Sequence, residues 1–147
     1  MTRRGYYGIG VYHPKHEVNV GTLWRSAQGL GATFVFTVGR RYGKRQASDT
    51  HKTRDHVPLF HFADMDDLIA HLPHGCPLVG VEHGGLDLAR FSHPCRAAYL
   101  LGAEDHGLPR AALDRCHARV QIESEFSFNV AVAGSLVAYD RVAKEAA

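Results

Sequence analysis

The sequence predicts an α/β fold, a mainly parallel sheet flanked by helices, and three observations predict it. Short apolar runs of strand length alternate with segments whose apolar residues recur at helical spacing. The strand runs are apolar at consecutive positions, as in strands covered on both faces. No internal repeat or linker interrupts the alternation, so residues 1–147 read as one domain, long enough to bury roughly 70% of the surface of the unfolded chain.

Each element has its own justification. Residues 6–12 (Tyr-Tyr-Gly-Ile-Gly-Val-Tyr) form a first strand that His13-Pro14 ends. A helix is expected over 19–30. Asn19 is its expected cap, and Val20, Leu23, Trp24, Ala27 and Leu30 form one apolar stripe, with Gly31 at the left-handed exit position. Arg25 lies off that stripe, so packing does not account for it. Phe34–Val38 is a buried-strand run, and residues 39–55 are polar and basic. Val57–Phe62 reads as a strand, Asp64–Leu72 as a helix that Pro73 stops, and Leu78–Val81 as a strand running into the turn-rich His83-Gly84-Gly85. Ala97–Leu101 is a further strand, Leu108–Arg115 a helix with Pro109 near its first turn, Arg119–Ile122 the last strand and Asn129–Lys144 the last helix.

Composition narrows the function classes. Lys and Arg number 17 against 15 Asp and Glu, so net charge by itself names no partner. Disorder, collagen-like repeats and a disulfide scaffold do not fit an average composition. The longest uncharged apolar run, Val130–Tyr139, is about half of a membrane span, which takes on the order of 20 residues. The amino terminus has no apolar signal core behind its arginines. A soluble cytoplasmic protein is expected, with no membrane partner. Cys76, Cys95 and Cys116 are odd in number and lack Cys-x-x-Cys spacing, which fits reduced thiols. The 11 histidines show no chelating spacing, so no metal is expected.

Familiar nucleotide and hydrolase signatures are missing. There is no Gly-x-Gly-x-x-Gly after a strand and no Gly-x-Ser-x-Gly elbow, and Gly39-Arg-Arg-Tyr-Gly43-Lys44-Arg45 is one residue short of a phosphate loop. Three loops at strand ends remain, rich in Gly, Asn, Ser and carboxylate, where ligands of open α/β sheets bind. They are Asn19-Val-Gly21-Thr-Leu-Trp-Arg25, then Leu100-Leu-Gly102-Ala-Glu104-Asp-His-Gly107-Leu-Pro109, then Val120-Gln-Ile122-Glu-Ser-Glu-Phe-Ser127-Phe-Asn129-Val130. Taken singly, each has a plainer role: Asn19 and Gly21 starting a helix, Gly102 and Gly107 making turns, Asn129 capping, Arg25 solvated or paired with Glu17. The joint pattern is what these roles leave unexplained.

In this order and spacing the three loops resemble the SpoU/TrmH family of RNA ribose methyltransferases, part of the knotted SPOUT class. Asn19, Gly21 and Arg25 match the family's Asn-x-Gly-x-x-x-Arg. Gly102, Glu104, Gly107, Leu108 and Pro109 match its Gly-x-Glu-x-x-Gly-Leu-Pro. Ile122, Ser127, Asn129 and Val130 match its third motif, with Glu123 where proline is usual and a shorter loop. The resemblance covers nearly the whole chain. It implies a SPOUT-type fold with a C-terminal trefoil knot, S-adenosylmethionine as cofactor, methyl transfer to a ribose 2′-hydroxyl and a homodimer.

The same resemblance distributes roles. Gly80, Val81, Glu82, Leu101, Gly102, Gly107, Ile122 and Ser127 would surround the cofactor. Arg25, Asn19, Asn129 and Glu104 would carry catalysis, Arg25 as a clamp on the phosphate beside the target ribose, because a guanidinium with a pKa above about 12 is a poor base. The residues themselves add an RNA-binding patch, Arg40, Arg41, Lys44, Arg45, Lys52 and Arg54, placed to contact phosphate, with a solvated loop as the plainer alternative. The last helix is apolar around most of its circumference, as in a buried or interface helix, and Ala133, Gly134 and Ser135 permit close helix contact. A single-domain member suits tRNA better than rRNA. The alternatives are a SPOUT base methyltransferase and a non-catalytic RNA-binding or ribosome-assembly protein on the same fold, the latter prompted by Glu123 and Glu125 in the third motif.

Overall fold

The computed structural model describes residues 5–39 and 56–146. Among them the chain runs β1 (Tyr6–Tyr12), α1 (Glu17–Gly29), β2 (Phe34–Val38), β3 (Leu59–Phe62), α2 (Met65–His71), β4 (Leu78–Asp87), a short 3-10 turn (Leu88–Arg90), β5 (Arg96–Leu101), α3 (Arg110–Leu113), β6 (Ala118–Gln121) and α4 (Val130–Ala146). The six strands form one sheet in the order β3-β2-β1-β5-β4-β6, and every pairing is parallel. The α/β class expected from the sequence is therefore present, with a wholly parallel sheet.

Alternation along the strands builds two cores. Ile9, Val11, Val35, Val79, Tyr99, Leu101 and Val120 face one side, where Leu23, Trp24 and Ala27 of α1 and Val130, Val137 and Ala138 of α4 cover them. Phe34, Phe36, Val38, Leu78, Ala98 and Leu100 face the other side, under Leu68 of α2 and Ala112 of α3. Both faces being covered is what allows apolar residues at consecutive strand positions. Gly134 brings α4 against α1: a methyl group there would lie 2.4 Å from Leu23 Cδ1. The small residues of the last helix thus serve a contact inside the chain.

Element boundaries shift for local reasons. Helix α1 starts two residues earlier than Asn19, with His16 as a cap residue whose side chain makes no capping bond and Glu17 in the first turn, where a carboxylate favours the helix dipole. Asn19 is thereby released from the capping role expected of it. Gly31 adopts the expected positive φ, 81°. Strand β3 begins after Pro58, which has no N–H for the ladder, although its carbonyl accepts from Val35 N–H at 3.0 Å. Helix α2 is capped by the Asp64 carboxylate, which accepts from Asp67 N–H at 2.8 Å. Helix α3 is much shorter than the expected 108–115, because the chain must turn back at Cys116 to reach β6. Strand β4 is longer than expected and irregular: Val120 of β6 is opposite both Val81 and Leu86, so Glu82 to Gly85 loop out of the sheet.

The two ends of the sheet are built differently. At the amino ends of the strands, Arg141 of α4 is buried and donates to the carbonyls of Pro94 (2.7 Å), Cys95 (2.7 Å) and Tyr6 (3.4 Å) and to Tyr99 Oη (3.1 Å). Its Nε pairs with Glu145 at 3.1 Å, and its guanidinium lies over the Tyr7 ring. Beside it, His93 bridges Tyr99 Oη and the Asp140 carboxylate, each at 2.7 Å. Lys144 reaches Asp140 at 2.8 Å and the Leu88 and Phe91 carbonyls. Burial pushes the His93 pKa down against the opposing pull of Asp140. A neutral ring, donating from Nε2 and accepting at Nδ1, satisfies both partners.

Candidate active site

At the carboxyl ends of the strands the molecule opens. The chain lays β2 and β3 on one side of β1, then crosses to the other side, where β5 fills the place between β1 and β4. Such a reversal of strand order leaves a crevice at the carboxyl edge. Here it is a cleft of about 310 Å³ at the ends of β4, β5 and β6, lined by Val81, Glu82 and His83, by Leu101 to Gly107, and by Ile122, Ser124, Ser127, Phe128, Val130 and Ala133.

The loop after β5 forms the floor, and glycine makes its path possible. Gly107 N–H donates to Ala103 O at 3.0 Å, closing a tight turn in which Gly107 has φ 65°. A methyl group on Gly102 would lie 2.2 Å from the Gly107 carbonyl carbon, and one on Gly107 would lie 2.4 Å from Glu82 Oε2. Both positions therefore exclude side chains. The Glu82 carboxylate holds the turn from outside the loop, accepting from Leu108 N–H at 2.8 Å through Oε2 and from His83 N–H at 2.9 Å through Oε1.

Glu104 lies on the cleft wall. Its Oε2 accepts from Lys15 N–H at 3.0 Å, whereas Oε1 is buried and has no hydrogen-bond partner. Such a carboxylate oxygen is costly unless a ligand completes it. Asp105 next to it faces Lys15 Nζ at 3.9 Å and His106 Nε2 at 3.3 Å. The carboxylates of the cleft wall, Glu82, Glu104 and Asp105, lie beside apolar patches from Leu101, Ile122 and Phe128.

The first and third motif loops meet at the helix starts above this floor. Asn129 caps α4 through Oδ1, which accepts from Ala131 N–H at 2.8 Å, and its Nδ2 donates to Asn19 Oδ1 at 3.0 Å. The side chain that caps α4 is thus also the one that bridges to Asn19. This bridge sets the starts of α1 and α4 side by side, with their N–H ends at the cleft edge. Ser124 Oγ donates to Phe126 O at 2.6 Å and shapes the shortened third loop. Glu123 and Glu125 are exposed and do not line the cleft.

Of the eight residues expected around the cofactor, Val81, Glu82, Leu101, Gly102, Gly107, Ile122 and Ser127 line the cleft. Gly80 does not. It is buried one residue deeper, where a methyl group would meet Cys116 Sγ at 2.9 Å and Leu113 Cδ2 at 3.3 Å, so it admits α3 onto the sheet. Arg25 also lies off the cleft, exposed on α1, and no pair with Glu17 forms; Glu17 Oε2 has no hydrogen-bond partner among the described residues. Six residues of helix separate Arg25 from Asn19, about 9 Å of rise and a different face. Arg40, Arg41, Lys44, Arg45, Lys52 and Arg54 fall outside the described residues. Sequence reasoning passed over Phe128, His83 and Ser124, whose signal was proximity to the motifs. Among the described residues no group of His, Cys, Asp and Glu could hold a metal ion, and no helix is long and apolar enough to cross a membrane.

The model of the SpoU rRNA methylase family matches residues 8–139, a stretch that contains all three loops. The chain belongs to this family. Solved SpoU structures share its fold. The SpoU methyltransferase AviRb from Streptomyces viridochromogenes, in complex with AdoMet, superposes with a TM-score of 0.81 at 23% identity, over 100% of this chain and 60% of AviRb. A structure described as giving insight into 2-OH methylation of C/U34 on tRNA has a TM-score of 0.84 at 23% identity, over 97% of each chain. An AdoMet-bound rRNA methyltransferase from Sinorhizobium meliloti has a TM-score of 0.81 at 19% identity, over 98% of this chain and 59% of that one. This SpoU chain therefore spans about three-fifths of the length of AviRb and of the Sinorhizobium enzyme. Among curated proteins no sequence matches it.

Proposed function

We propose that this SpoU-family protein is an S-adenosylmethionine-dependent RNA methyltransferase that modifies a ribose 2′-hydroxyl, with tRNA favoured over rRNA as substrate. The observation that carries the reading is the meeting of the second and third motif loops at one glycine-floored cleft, with the first loop tied to the third by the Asn19–Asn129 bridge. The matched family and the AdoMet-bound solved structures support the cofactor, and the structure described for tRNA 2-OH methylation, similar over 97% of its length, supports the substrate.

The cleft fits this cofactor on its own chemistry. S-adenosylmethionine carries a sulfonium and an ammonium against one carboxylate, so its net charge suits walls bearing Glu82, Glu104 and Asp105. Leu101, Ile122 and Phe128 offer apolar surface to an adenine, and the Gly102–Gly107 turn lets backbone approach it. When bound, the group supplies an activated methyl and its own leaving group. The chain's task is then to position the hydroxyl and assist loss of its proton. Glu82 holds the floor, Asn19 and Asn129 hold the two helix starts, and Glu104 presents its unpartnered oxygen to the ligand. The α1 and α4 N-termini favour an anion such as the RNA phosphate.

Arg25 completes the reading through a second copy of the chain. Val18 and Arg25 lie seven residues apart on the same exposed face of α1. Val132, Leu136 and Tyr139 make the matching exposed apolar stripe on α4. Pairing two chains across these stripes buries them and carries each Arg25 toward its partner, as a phosphate clamp. The trefoil knot implied by the family belongs to the same proposal, at the passage from β6 into α4.

Calorimetry with S-adenosylmethionine, followed by mapping of 2′-O-methyl positions in tRNA and rRNA incubated with the protein, tests the reading. Arg25→Ala is expected to abolish transfer and leave cofactor affinity within about twofold, consistent with a residue that touches only the RNA. Unchanged turnover in that variant refutes its role. No heat with the cofactor refutes the enzyme and favours an RNA-binding protein. A monomer by light scattering at micromolar concentration refutes the paired site.

A further inference from the structure

A second, smaller cavity lies on the far side of the turn that floors the cleft. Its volume is about 170 Å³, and Tyr12, His13, Ala103, His106, Gly107 and Pro109 line it. Ala103, His106 and Gly107 line the larger cleft as well, so the two cavities share one wall. Pockets that take whole ligands run to about 300–1,000 Å³, which leaves this one room for a single ring system.

Its chemistry is that of a ring slot. Ala103, Gly107 and Pro109 give it apolar walls. Tyr12 and His13 form a tilted stack, with ring centroids 4.3 Å apart, along another side. His13 is the one non-glycine residue with positive φ among the described residues, at 48°. Strained backbone of this kind persists where surrounding structure enforces it, and it clusters at ligand sites. Gly39 belongs to the same arrangement: a methyl group there would lie 2.4 Å from His13 Nε2. The end of β1, the end of β2 and the floor turn therefore cooperate to hold an aromatic wall beside the cleft.

We propose that this cavity is a nucleobase subsite, which takes one base of the RNA substrate by stacking against the Tyr12–His13 pair while the ribose chemistry proceeds across the shared wall. The surface of the cavity is mostly apolar, which suits the face of an unstacked base. The inference rests on the RNA-methyltransferase reading and adds the feature by which the protein would choose its nucleotide.

Three measurements on the full chain test it. Calorimetry with S-adenosylmethionine and fluorescence anisotropy with a single-stranded oligonucleotide bearing the mapped methylation site are run on wild type, Tyr12→Ala and Tyr12→Phe, together with kcat/KM for methyl transfer. Tyr12→Ala is expected to weaken oligonucleotide binding and lower kcat/KM by about 5- to 150-fold, the range that stacking of a base on an aromatic ring commands, with cofactor affinity within twofold of wild type. Tyr12→Phe keeps the ring and recovers most of that loss. An abasic nucleotide in the slot costs wild type as much as Tyr12→Ala does, and the two losses do not add. Wild-type RNA affinity in Tyr12→Ala, or additive losses, overturns the subsite. Loss of cofactor affinity in Tyr12→Ala overturns it too, assigning the cavity to the cofactor cleft. A wild-type protein that binds the oligonucleotide through Tyr12 but takes up no cofactor leaves the subsite standing and removes the methyltransferase reading.

Discussion

The two edges of the sheet show opposite treatments of buried polarity. At the amino edge, Arg141, Tyr99, His93, Asp140 and Lys144 form a network in which the Arg141 guanidinium meets three carbonyls, a hydroxyl and a carboxylate. At the carboxyl edge are both of the buried side-chain polar atoms that lack a partner among the described residues, Glu17 Oε2 and Glu104 Oε1. Saturated polar groups hold elements together, while unsatisfied ones cost stability until a ligand meets them. The difference teaches that one sheet can satisfy its buried polar groups at one end and leave them unsatisfied at the other. Helix α4 links the two, since Asn129 caps its start at the cleft and Arg141 anchors its later turns at the far edge.

The comparison breaks first at Arg141. Arg141→Ala removes the donor to the Pro94 carbonyl and to Tyr99 Oη, leaves the Cys95 carbonyl only its bond from Tyr6 N–H and unpairs Glu145, and should destabilise the protein by about 3 kcal/mol or more. Urea unfolding checks this, and a cost below about 1 kcal/mol would show that the network does not close that edge. Cofactor binding by the folded fraction should be unaffected.

Gly107→Ala should do the reverse. The new methyl group meets Glu82 Oε2 and a φ of 65° that only glycine takes without strain. Cofactor affinity by calorimetry should fall at least about tenfold, while unfolding shifts by only about 1–2 kcal/mol. Equal affinity would mean that the floor turn is not part of the binding surface.

The smallest effect concerns pH. The folded His93 pKa lies below its ordinary value near 6.5 because burial disfavours the charged ring. As pH falls below about 6.5 the unfolded chain takes up a proton that the folded chain refuses, so stability declines with acidity until the folded ring also titrates. Replacing the residue by Phe removes this contribution. Urea midpoints of wild type and His93→Phe at about pH 7 and pH 5.5 should show a shallower decline in the variant. Parallel declines would refute the sign.

Much of the fold was legible because periodicity reports burial directly. Phe34–Phe36 and Ala97–Leu101 are apolar at consecutive positions because both sheet faces are covered, and the stripe of Val20, Leu23, Trp24 and Ala27 marked the buried side of α1. The site was legible through its glycines and asparagines, whose spacing matched the family's loops. At Gly80 a glycine that admits a packing helix looks the same in sequence as one that admits a ligand, and here it admits α3. Asn19 misled as a cap, because the helix gained a turn from Glu17 that local propensity alone did not require. Arg141 gave no signal: one arginine in an apolar helix reads as a solvated residue until its carbonyl partners are brought to it from β1 and the segment before β5.

By itself, then, the sequence determined the α/β class, the buried strands, the helix stripes and the three loops, because each depends on residues close together in the chain. Tertiary structure alone decided that Asn19 meets Asn129, that Glu82 braces the turn before Leu108, that Arg25 lies off its own cleft and that Tyr12 and His13 wall a second cavity. Those outcomes depend on strand order, and strand order is set by how two cores fill on opposite faces of the sheet, a sum over distant contacts that no local pattern encodes.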